Sequence, residues 1–292
     1  MKILVLGCKG QLGRCLNDKL INTHHEVIYT SRDQIDIADF EATKNKILNI
    51  FPEIIINASA YTAVDNAEKD KETANLINHL AVKNIADICN NVGCWLIHVS
   101  TDFVFDGNSK IPYKENDDTN PQSIYGETKL NGELAIQASK CKHIIIRTAW
   151  VYSEYGNNFL KKMLYLAKNN DELNIVSDQI GCPTYAQDIA IAIISIISKL
   201  NTSKELDGIY HYSGDSECSW FEFAKEIFKQ ANKYHQVPIP NLKKVSTEEF
   251  TTLAKRPKFS ALANLKIQEK FDITSSNFKY GIESTLREIF KI

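Results

Sequence analysis

Lys2-Ile3-Leu4-Val5-Leu6-Gly7-Cys8-Lys9-Gly10-Gln11-Leu12-Gly13 decides the fold. The apolar run Ile3 to Leu6 reads as a short buried strand. Glycines then recur at 7, 10 and 13, and a helical stretch follows from Arg14 to Ile21. The spacing is G-x-x-G-x-x-G rather than the commoner G-x-G-x-x-G. The order strand, glycines, helix therefore carries the reading. Glycines let the backbone turn tightly and approach a diphosphate, and the new helix points its first N–H groups at the negative charge. A dinucleotide site built on Gly7, Gly10, Gln11, Leu12 and Gly13 is expected.

Outward from this loop the chain alternates. Strands are predicted at Glu26 to Thr30, Ile54 to Asn57, Trp95 to Ser100 and His143 to Thr148. Helices are predicted at Phe40 to Phe51, Ala67 to Val92 and Ile124 to Ser139. Apolar strands separated by helices indicate a parallel sheet covered on both faces. Right-handed crossovers make it an α/β, doubly wound Rossmann sheet with its ligand at the C-terminal strand ends. After Trp150 the pattern is mixed. Helices are expected at Asn157 to Lys168, Tyr185 to Leu200, Trp220 to Asn232 (Ser219 as N-cap) and Lys279 to Ile292. Strands are expected at Leu173 to Val176 and Gly208 to Ser213, and Pro238 and Pro240 break the chain. Residues 1–150 are read as the dinucleotide-binding domain, with 184–205 returning to it. Residues 151–292 are read mainly as a smaller substrate-binding domain.

The composition excludes several classes. A net charge of −2 leaves no electrostatic footprint for nucleic acid or an anionic membrane. No apolar run approaches the ~20 residues of a membrane helix. The N-terminal apolar segment has neither basic leader nor cleavage pattern, so a cytoplasmic location is expected. The seven cysteines are scattered without a C-x-x-C pair, which predicts reduced thiols and no metal site.

Three further stretches carry chemistry. After the second strand, Ser31 and Arg32 favour the 2′-phosphate of NADP over the ribose hydroxyl of NAD, since Asp33 lies late for a ribose acid. Asp36 and Ile37 would flank the adenine, and Ala58, Ser59 and Ala60 would let the cofactor lie close to backbone. Tyr125 and Lys129 stand at i and i+4 on one helix face. The ammonium, together with an oxidised nicotinamide, is expected to favour the phenolate and tune Tyr125 for proton transfer. Ser100-Thr101-Asp102 begins at the end of the fourth strand, on the same crevice, where Ser100 or Thr101 can donate to a substrate carbonyl oxygen.

These residues, with Thr62-Ala63-Val64-Asp65-Asn66-Ala67-Glu68, Arg147 to Tyr152, Gly156 to Phe159, Asp178 to Thr184 and Arg256 to Ser260, resemble the extended short-chain dehydrogenase/reductases across nearly the whole chain. Within that family they are similar to the branch that reduces nucleotide-linked 4-keto-6-deoxy sugars. The resemblance implies NADPH-dependent reduction, with NADH possible, of the C4 keto group of dTDP-4-dehydro-L-rhamnose to dTDP-L-rhamnose. It implies Thr101, Tyr125 and Lys129 as the catalytic trio. Tyr125 and Lys129 would also touch the cofactor. It implies Val64, Asp102, Phe103 and Trp150 around the sugar, and Asn158, Gln179 and Arg256 near the nucleotide diphosphate. For Arg256 a bidentate guanidinium suits a diphosphate independently. Some members of the family are dimers bridged by magnesium on glutamates. Cys15 and Gln187 stand in those places here, which predicts a monomer or a homodimer without bridging metal. Phe259 stands where the family often has asparagine. Two rivals remain at this point: a reductase of another 4-keto nucleotide sugar, and a non-catalytic regulatory subunit resembling the β subunit of methionine adenosyltransferase.

Overall fold

A computed structural model describes residues 1–200, 205–234 and 237–291. Its first half runs β1 (Lys2–Leu6), α1 (Gln11–Leu20), β2 (Glu26–Thr30), α2 (Phe40–Ile50), β3 (Ile54–Asn57), α3 (Val64–Ala67), α4 (Lys71–Asn75), α5 (Ala81–Val92), β4 (Trp95–Thr101), α6 (Ile124–Ser139) and β5 (His143–Thr148). Its second half runs β6 (Val151–Tyr152), α7 (Phe159–Ala167), β7 (Glu172–Val176), β8 (Ile180–Gly181), β9 (Thr184–Tyr185), α8 (Ala186–Lys199), β10 (Gly208–His211), β11 (Cys218–Ser219), α9 (Trp220–Tyr234), β12 (Asn241–Val245), α10 (Leu265–Phe271) and α11 (Phe278–Phe290).

The central sheet has the order β2-β1-β3-β4-β5-β10, and every pairing is parallel. Alternate residues of each strand point to opposite faces. Ile3, Val5, Ile54, Ile56, Ile97, Ile144 and Ile146 pack beneath α1 and α8. Leu4, Leu6, Ile55, Leu96 and Ile145 pack against Ile47, Val82, Ile85 and Ile136 on the other side. Both faces are apolar because both are covered, as the sequence predicts. Leu6 pairs with Thr30 on one side and Asn57 on the other, so three strands end at one rim. The order reverses between β1 and β3, which opens the crevice there.

The long helix expected from Ala67 to Val92 is broken into α3, α4, a π-helical turn at Leu76–Leu80 and α5. Two side chains account for this. Asp70 caps α4 by accepting from Thr73 N. Asn78, inside the π turn, binds both backbone polar groups of Tyr61 and also Thr128 Oγ1. Such a turn re-aims one side chain at the cost of regular i→i+4 bonding.

Helix α8 returns to pack on α1, and the sheet's sixth strand, β10, follows it. The intervening residues 201–204, and the expected helix end at Ile292, lie outside the described residues. Strand β7 was expected, but β12 and its parallel pairing with β7 were not. Asn241-Leu242-Lys243-Lys244-Val245 follows two prolines and is largely solvent-facing, so it carries no apolar alternation. Ser219 does cap α9: its Oγ accepts from Glu222 N, and Glu222 Oε2 accepts from Ser219 N in return.

Candidate active site

Gly7 ends β1 with φ +82°, a region that disfavours any side chain. A Cβ there would stand 2.9 Å from Ser59 Oγ and 3.0 Å from the Ala58 carbonyl. The loop is thus closed against the end of β3 by backbone. Gly10 opens α1 and no side chain caps its first turn, so those N–H groups remain for a ligand. The donor set fits a dinucleotide diphosphate. Gln11, within that turn, donates to Val151 O and accepts from Asn158 Nδ2 at 2.7 Å.

At the end of β2 two ion pairs face solvent, Lys9–Asp33 at 2.5 Å and Arg32–Asp36 at 3.2 Å. The Ser31 hydroxyl contacts Asp33 and Gln34. Lys9 joins Ser31 and Arg32 at this rim. The sequence reading left it unassigned because loop lysines are common. Ile37 packs with Ile35 in the apolar cluster on one face of the sheet.

The second half of the site is built on α6. Ser123 Oγ accepts from Gly126 N, and Glu68 Oε1 accepts from Ile124 N at 2.9 Å. Gly126 lets the helix touch the 3₁₀ turn Asp102–Val104, since a Cβ would meet Phe103 O at 2.2 Å. This contact brings Tyr125 edge-on to Phe103, with ring centroids 5.5 Å apart. Loss of solvent raises the Tyr125 hydroxyl to about 12; a hydrogen bond with Thr101 lowers it, and the Asp102 carboxylate raises it further. Lys129 is not among the groups that shift Tyr125 here; the expected lowering called on the ammonium together with an oxidised nicotinamide. Lys129 Nζ donates to Val99 O at 2.7 Å and lies 3.2 Å from His98 Nε2. Burial lowers Lys129 to about 8, against the attraction of Glu133.

Thr101 Oγ1 donates to Asp102 Oδ1 at 3.0 Å, while Asp102 Oδ2 is buried without a partner. Burial pushes this carboxyl up to about 6, with the Ser260 and Thr101 hydroxyls opposing. Trp150, held at φ +47°, stacks on Trp220 with centroids 3.4 Å apart. Trp220 Nε1 donates to Gln179 Oε1, and Gln179 Nε2 donates to Thr247. Val64 opens α3, next to Asp65. Arg256 does not stand free. Its guanidinium forks onto Asp65, with contacts of 2.7 and 3.1 Å, and holds that carboxyl below the usual range. Asn158 lies at the glycine loop. It donates to Gln11, Ser153 O and Tyr155 O and caps α7 through Lys161 N. Cys15 is buried in the core, and Gln187 Nε2 donates to Asp18 and Glu154.

Two groups of polar residues went unread in the sequence. Asn57 and His98 are buried beside Lys129, and Glu133 and Arg147 form a buried pair nearby. A histidine inside Trp95-Leu96-Ile97-His98-Val99, a run otherwise apolar, is the signal that could have found the first.

The family model of the RmlD substrate binding domain matches residues 1–290. A dTDP-4-dehydrorhamnose reductase of Sinorhizobium fredii is 40% identical over 100% of this chain and 98% of its own. The crystal structure of a dTDP-4-dehydrorhamnose reductase from Clostridium acetobutylicum superposes with a TM-score of 0.93 at 37% identity, covering 100% of both chains. A dTDP-4-dehydrorhamnose reductase of Bacillus anthracis, solved in complex with NADP, gives 0.91 at 37% identity over 98% of this chain and 99% of that one.

Proposed function

The chain belongs to the RmlD substrate binding domain family, and on that premise we propose that it is an NADPH-dependent oxidoreductase reducing the C4 keto group of dTDP-4-dehydro-L-rhamnose to dTDP-L-rhamnose. The observation that carries the reading is the contact of Tyr125 with Thr101 on the rim that also holds the glycine loop, with Lys129 one turn further along α6. A nicotinamide dinucleotide held by that loop supplies the hydride.

The chain's own residues supply the rest. Reduction needs a proton donor at the carbonyl oxygen, and burial keeps the Tyr125 hydroxyl protonated at neutral pH. The Tyr125 proton goes to the C4 oxygen. Thr101 orients that oxygen from the end of β4. Lys129 supports the phenolate left behind. The unpartnered Asp102 Oδ2 accepts a sugar hydroxyl, because a buried carboxylate oxygen without a donor is costly. Phe103, Val64 and Trp150 give the sugar its apolar walls. Gln179 and the Asp65–Arg256 pair stand on the nucleotide side, where a diphosphate would draw the guanidinium from its carboxylate. Lys9, Ser31 and Arg32 give the adenosine end its preference for a 2′-phosphate. No helix among the described residues is long and apolar enough to cross a membrane, in keeping with an enzyme of the cytoplasm acting on a soluble nucleotide sugar.

The test follows NADPH oxidation with enzymatically prepared dTDP-4-dehydro-L-rhamnose, with NADH in parallel. Turnover faster with NADPH is expected. Cofactor binding without turnover on this substrate, but with turnover on a 4-keto sugar of another nucleotide, overturns the substrate assignment.

A further inference from the structure

The stretch Thr62-Ala63-Val64-Asp65-Asn66-Ala67-Glu68 ends on a carboxylate that the reductase reading leaves without a role. Glu68 stands at the C-terminal end of α3, where its backbone N–H donates to Asn66 O. A negative side chain there has the wrong sign for its own helix. Its partner lies on another element. Glu68 Oε1 accepts from Ile124 N at 2.9 Å, across 56 residues of sequence. Ile124 is the first residue of α6, and its N–H has no acceptor within that helix. In the same turn Ser123 Oγ accepts from Gly126 N at 3.2 Å, and the first regular bond, Glu127 N to Ser123 O, follows at 2.9 Å. Tyr125 therefore stands between two residues whose backbone is fixed. Ile124 is tied to α3, while Gly126 is tied to Ser123 and seated on Phe103 O.

We propose that Glu68 is a positioning residue for Tyr125: its carboxylate holds the first N–H of α6 and so sets where the Tyr125 hydroxyl stands relative to Thr101. The proposal rests on the reading of Tyr125 as the proton donor and adds the group that aims it. Tyr125 is only the second residue of α6, in the turn where helices fray. Ser123 Oγ serves the Gly126 N–H and leaves the Ile124 N–H to Glu68. A carboxylate at a helix N-terminus satisfies that donor with a charge-assisted bond and has the favourable sign for the helix dipole. Glu68 is itself held from behind. Asp65, on the same short helix, accepts from Ala254 N at 3.0 Å and from Arg256 Nη1 and Nη2 at 3.1 and 2.7 Å. Val64, assigned to the sugar wall, opens that helix. One element thus carries a wall of the sugar pocket, the anchor of Arg256 and the cap of α6. The sugar and its proton donor are placed from a common support.

Three variants separate the acceptor from the bulk of the side chain. Glu68→Gln keeps an acceptor oxygen at the same reach, Glu68→Met keeps the bulk without one, and Glu68→Ala removes both. Amide hydrogen exchange over Ile124 to Glu127 needs neither substrate nor turnover. In Glu68→Met and Glu68→Ala it should quicken by about tenfold, the worth of a hydrogen bond to a charged group, with exchange in α1 unchanged. In Glu68→Gln it should stay close to wild type. The kinetic arm follows kcat and KM apart. In Glu68→Met and Glu68→Ala kcat should fall by about 10- to 100-fold, as for a proton donor displaced by up to about 1 Å, while KM and the NADPH dissociation constant change little. Glu68→Gln should recover kcat. Faster exchange with unchanged kcat would show a cap that does not aim Tyr125, and it overturns the proposal. Unchanged exchange in Glu68→Met, or a Glu68→Met enzyme as active as Glu68→Gln, overturns it as well. Exchange quickened throughout the chain, α1 included, shows a general loss of stability and has the same consequence. No turnover by the wild-type chain, with exchange quickened as expected in the variants, removes the reductase reading and leaves the cap of α6 in place.

Discussion

Tyr125 shows how far one side chain's chemistry can be taken from its neighbours. The spacing to Lys129 placed both residues on one helix face and, with an oxidised nicotinamide beside them, led to the expectation of a lowered hydroxyl pKa. The fold leaves the ring half-buried, and loss of solvent around its hydroxyl raises the group to about 12. For a reductase this is the useful sense, since a proton donor must hold its proton until the hydride arrives. Tyr125→Phe should therefore lower kcat by roughly 10²- to 10⁴-fold, the usual worth of a positioned general acid. Binding of NADPH, followed by fluorescence, should change little. A variant retaining near-wild-type kcat would remove Tyr125 from the mechanism. The residue types and order of Thr101, Tyr125 and Lys129 were legible because short motifs hold them. The partners of Arg256 and Lys129 were not. Asp65 lies far from Arg256 in sequence, and His98 was hidden in a strand read only for its apolar pattern.

Helix α6 and the 3₁₀ turn after β4 form the working joint of the site. The start of α6 was readable from its pattern. Its seat was not, because nothing local shows which backbone a glycine will touch. Gly126 rests on Phe103 O, with room for no Cβ. Gly126→Ala must lift the helix off the turn and part Tyr125 from Thr101. Catalysis tolerates such a shift poorly: a displacement near 1 Å can cost about 10²-fold. We expect kcat to fall by about that factor, with far-ultraviolet circular dichroism retained and cofactor binding nearly intact, since the glycine loop lies on another element. Unchanged kcat would show that the turn follows the helix and that the contact does not set the geometry. The broken α3–α5 region teaches the same lesson. Its apolar periodicity is continuous, and the interruption comes from Asn78 reaching a backbone that sequence cannot place beside it.

At the scale of the molecule, the sheet was legible through β5, and its sixth strand came from a segment read as part of the second half. What locks the site region to the sheet is a charge cluster that no pattern announces. Glu133 on α6 accepts two bonds from Arg147 Nε, at 3.1 Å each, and one from Nη2 at 2.7 Å. It also accepts from Ser100 on β4, and Arg147, on β5, lies over the Phe105 ring. Both partners are buried, so removing one leaves the other charged and out of reach of water. Breaking such a pair costs about 3–5 kcal/mol, although the intact pair itself adds little net stability. Against a typical total of about 5–15 kcal/mol, that loss is large. Glu133→Ala should thus lower the urea midpoint by the equivalent of about 3–5 kcal/mol, with the slope unchanged. Replacing Glu133 and Arg147 together by leucine and methionine should recover most of it, because apolar groups of similar volume leave no stranded charge. If the double variant proves as unstable as the single one, the cluster's worth lies in its bonds to Ser100 and the Glu115 carbonyl rather than in charge pairing, and the cost assigned to the stranded guanidinium is wrong.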